Sequence, residues 1–338
     1  MKILFISYVF PPSTGGIETT AIMLLEEFAR QGLREFQVVT HTLSQGPENS
    51  PWPIHRRPGP LALARIASAA DLIYQHNPSL RYLWPSIAGK PTVISIHAWM
   101  ERSDGSISWR DKMKKCVLQR FTCISNSHAT AKTLPFSSRV IPNAYNDRVF
   151  RNTIAWTERR GAAFVGRLVS SKGLRTALQA ISMLRQEGCE MPLQVIGDGP
   201  EADSLRRLAS QLSVSDLVLF HGTQPPNEVA GLLNSAKYLL VPSLFESFGL
   251  VALEGIACGC IPVTTGEGGL SEAVGPCGPF FAKENPAELA KQILDLERNP
   301  GTAEHYRSQA NPFLSSRTSE RVAAEYLKVF RSKLGGNL

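Results

Sequence analysis

The 338-residue chain holds no run of about twenty apolar residues, the length a membrane-crossing helix needs, so no spanning helix is expected. Cysteine is sparse and unpatterned. Six are scattered at positions 116, 123, 189, 258, 260 and 277. The one close pair, Cys258 and Cys260, lacks a second pair or a neighbouring His, which argues against a zinc knuckle and against a disulfide framework. Reduced, partly buried thiols are expected instead. No Asp-x-Asp occurs, so no dedicated divalent-metal site is indicated. The dinucleotide fingerprint G-x-G-x-x-G is missing as well. There is no internal repeat, no low-complexity tract, and no nucleic-acid recognition motif or aromatic-basic interleaving, so nucleic acid is not an expected partner.

What is present describes a globular protein, with 43% hydrophobic and 19% charged residues and a length that suits two domains of about 150 residues. The net charge of +7 is unevenly divided. Residues 1–150 carry 17 Lys and Arg against 10 Asp and Glu, which is the entire excess; the rest of the chain is neutral. Two readings stay open: an anionic partner for the first half, or a basic surface that aids solubility. Lys2 and the apolar stretch Ile3–Phe10 have the look of a short leader. They run straight into Pro11-Pro12 and a Gly pair without a small-residue cleavage site. The stretch is therefore read as a first buried strand, and the protein as cytoplasmic.

Short apolar runs bounded by Gly, Pro and Asn recur along the chain. Ile3–Ser7, Gln37–Thr40, Asp71–Tyr74, Thr92–Ile96 and Phe121–Ser125 are expected strands of the first half. Ala162–Val165, Leu193–Ile196, Val218–Phe220, Tyr238–Val241 and Ile261–Val263 are those of the second. Helical patterns such as Thr19–Gln31, Leu174–Gln186, Ser204–Leu212 and Asn227–Asn234 lie between them. The alternation predicts an α/β protein with two doubly wound parallel sheets. Ser44–Pro60, with five prolines, is expected to be a surface loop, and the polar stretch from Val140 to Arg160 to contain the domain boundary. The division expected is 1–150, 151–316 and a terminal segment 317–338 holding a helix over Arg317–Leu334.

Doubly wound sheets bind ligands beyond the carboxyl ends of their strands, so chemistry is sought in the loops there. Gly15-Gly16 opens a helix and would leave backbone N–H groups free for a phosphate, or would serve as a tight turn. After Ala162–Val165 come Gly166-Arg167 and Lys172-Gly173; two cations at a strand end can clamp a diphosphate. Gly197-Asp198-Gly199-Pro200-Glu201 reads mainly as a structural corner, with Pro200 starting a helix. The strongest stretch runs from Val241 to Glu254. Ser247 is expected to cap a helix over Leu250–Cys258, and Gly249 to let a ligand approach the first-turn amides. Glu246 in the loop and Glu254 in the helix can each accept hydroxyl hydrogens, as sugar recognition requires. Thr265–Glu272 is a further Gly-rich corner. His97 directly follows a strand and can donate to a hydroxyl or a developing oxyanion, although His41, His76 and His128 also lie near strand ends.

In order and spacing these residues resemble the retaining GT-B glycosyltransferases of family 4, over nearly the whole chain. The resemblance rests on Gly15-Gly16 with Glu18, Gly166-Arg167 with Lys172-Gly173, Gly197-Asp198-Gly199-Pro200, the E-x₇-E pair Glu246 and Glu254, and Gly268-Gly269 with Glu272. It implies two Rossmann-like domains facing across a cleft. The first would bind the acceptor and the second a nucleotide-sugar donor, and the terminal helix would cross back to the first domain. It also implies roles. Arg167 and Lys172 would contact the diphosphate. Gly16, Gly249 and the amides near Leu250 and Val251 would approach the distal phosphate and sugar. Glu246 would bind sugar hydroxyls, Glu254 the ribose, and His97 would lie beside the transferred sugar. Lys237 departs from the family, which often has Asp there.

The activity so implied is sugar transfer of the hexosyltransferase type with retained anomeric configuration and no essential metal. No nucleophilic carboxylate can be named, so front-face attack assisted by the leaving phosphate is favoured over a covalent route. The alternatives are a GT-B-type nucleotide-sugar epimerase, for which added acid/base carboxylates are missing, and a glycosyltransferase acting on a soluble small molecule. Trp109, Arg110, Lys112, Met113, Lys114, Lys115 and Arg120 mix basic and bulky apolar residues. This suits the face of an anionic membrane, with a lipid-linked or envelope-glycan acceptor and a peripheral position at the inner face of the membrane. A solvated helix with Trp and Met turned to the core is the other reading.

Overall fold

In the computed structural model, residues 1–44, 46, 50–87, 89–100 and 108–335 are described. The chain divides into two units, Met1–Ala144 with Ser319–Leu338, and Tyr145–Thr318. Sequence reading put these junctions at 150/151 and 316/317. Tyr145 and Phe150 fall in the second unit because both rings are buried in its core.

The first unit is built on parallel strands β1 (Lys2–Ser7), β2 (Glu35–Thr40), β3 (Ile54–Arg56), β4 (Leu72–His76), β5 (Thr92–Ile96), β6 (Thr122–Ser125) and β7 (Arg139–Val140). Their order is β3-β2-β1-β4-β5-β6-β7. β1, β4 and β5 are buried on both faces, which is why they read as continuous apolar runs rather than alternating ones. β3 corrects the expectation of an uninterrupted loop over Ser44–Pro60. Its three residues contain no proline and lie at the sheet edge, where flanking prolines are tolerated. β7, two residues long, is too short to register as an apolar run.

The last helix, Ser319–Lys333, folds with this unit. It turns Val322, Ala323, Tyr326 and Phe330 inward, positions spaced for one helical face. Phe330 packs on Phe28 and Tyr74, with ring centroids 5.4 and 5.2 Å apart. Burying each such side chain stabilises the docking by about 1.5–3 kcal/mol. Arg139 pairs with Glu325 at 2.7 Å and ties the helix to β7.

The second unit carries β8 (Ala162–Val165), β9 (Leu193–Ile196), β10 (Val218–Gly222), β11 (Tyr238–Val241) and β12 (Ile261–Thr264), all parallel, in the order β10-β9-β8-β11-β12. The helix Leu174–Gln186 buries Leu174, Ala177, Leu178, Ile181 and Leu184, an i, i+3, i+4, i+7 stripe. Arg159 is fully buried without a carboxylate partner. Its guanidinium is held instead by the carbonyls of Ile154 (3.0 Å), Ala236 (3.1 Å) and Cys258 (2.7 Å) and by Asn152 Oδ1 (2.6 Å). It pins the start of the unit beneath β8, β11 and β12. All six cysteines are free, and burial pushes the Cys260 thiol up to about 12.

Divided by unit, the charge asymmetry sharpens. The first unit holds 20 Lys and Arg against 11 Asp and Glu, and the second 16 against 18. Among the described residues no helix is long and apolar enough to cross a membrane.

Candidate donor and acceptor sites

A doubly wound sheet opens a crevice where strand order reverses, because the loops leaving the two central strands diverge to opposite faces. In the second unit that point lies between β8 and β11. Gly166–Gly173 leaves β8, and Pro242–Gly249 leaves β11. The two loops are tied together: Leu244 N donates to Ser171 O at 2.9 Å, and Gly173 packs directly on Pro242. At Gly173 φ is 71°, and a Cβ would stand 2.0 Å from the Pro242 carbonyl oxygen. Only glycine satisfies both demands.

Across this crevice Lys172 Nζ forms a short ion pair with Glu246 Oε1, in side chains 31% and 14% exposed. Ser243 Oγ donates to the same oxygen at 3.2 Å. Glu246 Oε2 has no protein partner among the described residues. Arg167, exposed on the β8 loop, has no ion pair among them either. Two of the expected ligands of a donor, Lys172 and Glu246, are thus already each other's partners.

The helix after β11 runs Leu250–Ala257. Its cap is Gly249, at φ 94°, with no side-chain cap, which corrects the expectation that Ser247 caps it. A Cβ on Gly249 would press 2.4 Å from Leu270 Cδ2, so the residue that opens the helix must be glycine. The amides of Leu250 and Val251 consequently have no partner among the described residues, and the positive end of the helix is open. Glu254 lies one turn on, half-buried, and no described group hydrogen-bonds its carboxyl. Burial pushes its pKa up to about 7.

The neighbouring corners support this loop. Gly269 N donates to Glu246 O at 2.8 Å, and Thr265 Oγ1 to Ser243 O at 2.7 Å. Ser243 and Thr265 were not singled out from sequence; the available signal was a small polar residue at the end of each of two adjacent strands. Gly197, at φ 132°, packs against the Gly166 carbonyl. Pro200 does not start the following helix, which runs Ala202–Gln211. Glu201 N is tethered to Leu168 O at 3.1 Å, and the helix begins after that tether. Lys237 precedes β11, away from its carboxyl end, and pairs with Glu297 at 2.9 Å.

In the first unit, His97 follows β5 and is 6% exposed. Its Nε2 lies 2.8 Å from Ser95 Oγ, and its Nδ1 3.2 Å from Asn143 Oδ1. Its ring centroid is 4.0 Å from that of His76, whose Nδ1 meets Tyr74 OH at 2.9 Å. Burial holds His97 down at about 4 and His76 well below its ordinary value. Both rings are neutral at neutral pH, and both nitrogens of His97 are engaged. Gly16 starts the helix Gly16–Arg30 and faces open space. Glu18 turns back, where it accepts from Ser13 Oγ at 2.7 Å.

The basic segment forms the helix Trp109–Leu118; residues 101–107 lie outside the described set. Trp109 is 68% and Met113 42% exposed, one turn apart, so they do not face the core. Of the three lysines, Lys115 is buried and donates to Thr133 O at 2.6 Å, and Lys114 pairs with Asp111 at 3.2 Å. The basic face therefore rests on Arg110, Lys112 and Arg120, which are exposed.

The fold is that of GT-B glycosyltransferases. A solved structure of Alr3699/HepE from Anabaena, in complex with UDP and glucose, matches 98% of this chain and 100% of its own with a TM-score of 0.81 at 20% identity. Residues 147–312, nearly all of the second unit, match the family described as Glycosyl transferases group 1, and the second unit belongs to that family. D-inositol 3-phosphate glycosyltransferase of Corynebacterium jeikeium is 35% identical over 176 residues, 48% of this chain and 42% of the relative. Glycogen synthase of Mycobacterium tuberculosis is 30% identical over 246 residues, 69% of this chain and 55% of the relative. The chain thus spans about half the length of these curated relatives.

Proposed function

We propose that the chain is a retaining glycosyltransferase of family 4, of the hexosyltransferase type, taking its sugar from a nucleoside-diphosphate sugar bound by the second unit. The observation that carries this reading is the furnished switch point. One crevice joins two cations, a carboxylate with a free oxygen, and two unpartnered amides at the positive end of a helix. That combination suits a ligand with a diphosphate at one end and hydroxyls at the other. The family match of the second unit, the names of its relatives and the UDP and glucose in the Anabaena structure support it.

In this reading Arg167 and Lys172 contact the diphosphate, and the Leu250 and Val251 amides, exposed by Gly249, take the distal phosphate. Glu246 accepts a sugar hydroxyl on Oε2 while Lys172 holds Oε1. Glu254 accepts the ribose hydroxyls when ionised. In the first unit, Gly16 is assigned to phosphate approach and His97, as a neutral ring, to a sugar hydroxyl. The bond from C1 of the sugar to the leaving phosphate breaks, and its electron pair passes to the phosphate oxygen, where the cations and amides stabilise it. The acceptor oxygen bonds to C1 from the same face and gives its proton to that phosphate oxygen, so configuration is retained. No metal is required, since protein cations take that role.

The acceptor we propose is an anionic, membrane-held glycan or lipid-linked sugar. The excess charge of the first unit and the Trp109 and Met113 pair beside Arg110 and Lys112 support it. The test is a panel of nucleotide sugars incubated with the protein in excess EDTA. Release of nucleoside diphosphate, with an α-linked product from an α-linked donor by NMR, is expected. An epimerised sugar nucleotide, an inverted product, or activity that returns only with magnesium or manganese would contradict the assignment.

A further inference from the structure

The loops leaving β1 to β4 in the first unit bring together side chains that the donor site does not use. Tyr8 follows β1 and is 42% exposed. Its ring stacks on His41, which follows β2, with centroids 4.8 Å apart and planes 16° apart. The backbone fixes the stack: His41 N donates to Tyr8 O at 3.1 Å, and Thr40 Oγ1 to the same oxygen at 3.3 Å. Buried Tyr82 braces both rings, at 6.3 Å from Tyr8 and 6.2 Å from His41.

Two exposed cations flank this aromatic face. Arg57, just beyond β3, is a non-glycine residue at φ 49°, and its Nε donates to His41 O at 2.8 Å. Such a backbone conformation costs of order 1–3 kcal/mol and is found where a site demands it. Arg81, after β4, hydrogen-bonds the hydroxyl of Tyr82. Partial desolvation, then Arg57 and Arg81, lower the His41 pKa, so the ring stays neutral at neutral pH.

The tautomer follows from the hydrogen bonds. The single Tyr82 hydroxyl proton is directed to Thr40 O at 3.4 Å. His41 Nδ1 therefore carries the proton it shares with Tyr82 at 3.1 Å, and Nε2 keeps a lone pair. No described group occupies that lone pair or the Tyr8 hydroxyl. A flat neutral aromatic face, hydroxyl-binding atoms at its rim and two guanidinium groups beside it match one ligand chemistry. The ring carbons of a sugar or polyol lie on the face, its hydroxyls meet the rim, and a phosphate meets the cations.

We propose that Tyr8, His41, Arg57 and Arg81 form a binding subsite for a phosphorylated sugar or polyol. Its use as the acceptor site rests on the glycosyltransferase reading; its binding chemistry does not. The full chain is titrated with glucose 6-phosphate, glucose and inorganic phosphate separately, and with UDP as a control. Glucose 6-phosphate should bind at least tenfold more tightly than either fragment. Arg57→Ala and Arg81→Ala should each weaken it about tenfold, the loss of a charge-assisted contact. Tyr8→Ala should reduce its affinity to that of inorganic phosphate, Tyr8→Phe should largely retain it, and all four variants should bind UDP as the wild type does. A competition arm with phosphatidylinositol vesicles separates the sources: stronger displacement by vesicles than by free glucose 6-phosphate identifies a lipid headgroup, and weaker displacement a soluble metabolite. Inorganic phosphate binding as tightly as glucose 6-phosphate, with Tyr8→Ala silent, would overturn the subsite. Absence of UDP binding in the wild type would overturn the donor reading and leave the subsite standing.

Discussion

Both sheets reverse their strand order at a central pair, β1/β4 in one unit and β8/β11 in the other, yet their carboxyl edges are furnished differently. The second unit closes its corner with backbone. Gly173, Gly197, Gly249 and Gly269 each stand where a Cβ would strike a neighbour at 2.4 Å or less. The first closes its corner with side chains, a buried chain of Tyr74, His76, Ser95 and His97, while Gly16 faces open space. Amides and a close backbone suit a diphosphate, whose oxygens accept from N–H groups. Rings and hydroxyls suit a polyhydroxy ligand. One topology thus serves two chemistries, and the difference lies in which residues end the strands.

The largest expected effect breaks the backbone side of this comparison. Gly173→Ala adds a Cβ 2.0 Å from the Pro242 oxygen at a left-handed φ. It should destabilise the protein by about 2–4 kcal/mol in denaturant unfolding, whereas Gly16→Ala should change stability by less than about 0.5 kcal/mol. If both are tolerated equally, the second corner is not closed by backbone contact.

Next in size, Glu246→Gln should lower turnover about a hundredfold through loss of a charge-assisted contact to the sugar. UDP affinity by calorimetry should hold or rise, because Lys172 is released to the diphosphate. A parallel fall in both would mean that the carboxylate serves only to position the loop.

The two units should also respond oppositely to pH. His97, held at about 4 when folded, binds its proton more readily unfolded, so its contribution, up to about 3 kcal/mol, is lost as pH falls from about 6.5 to 4. Glu254, raised to about 7, binds its proton more tightly folded. Its contribution, about 1–3 kcal/mol, is present at acid pH and lost as pH rises from about 4.5 to 7. Glu254→Gln should remove the alkaline loss, and hydrogen exchange on peptides of each unit reads the two effects separately. UDP affinity should rise from pH 6 to 8 in the wild type and stay flat in Glu254→Gln, if the ionised carboxylate accepts the ribose hydroxyls.

The smallest effect concerns the basic helix. Trp109→Ser with Met113→Ser should reduce the fraction sedimenting with anionic vesicles several-fold at low salt, and Lys112→Glu less than that, since one cation near such a surface contributes about 1 kcal/mol. Equal sedimentation of both variants and the wild type would argue for a soluble acceptor. Lys115 is a poor probe, because its ammonium is buried and bonded to Thr133.

Much of this architecture is written in local pattern. β5, β8, β9 and β11 are apolar runs buried on both faces, and their limits are legible to the residue. The glycines beyond the strands point to the right loops. What local pattern does not hold is pairing at a distance. Lys172 and Glu246 are 74 positions apart and meet because β8 and β11 are neighbours in the sheet. Ser247 has the chemistry of a cap, but the sharp entry at Gly249 takes that position. Lys112, Lys114 and Lys115 look alike in sequence, and tertiary contacts alone separate one free cation from an ion pair and a buried hydrogen bond. The proline-rich segment hid β3 because an edge strand of three residues leaves no periodicity to read.

The claim that the β8/β11 corner holds the donor diphosphate is tested most directly by titrating UDP into the wild type and into an Arg167→Ala/Lys172→Ala variant by calorimetry, without metal. A loss of about a hundredfold or more in affinity, with folding unchanged by circular dichroism, is predicted from two charge-assisted contacts. Full-strength UDP binding in the folded double variant would contradict the account.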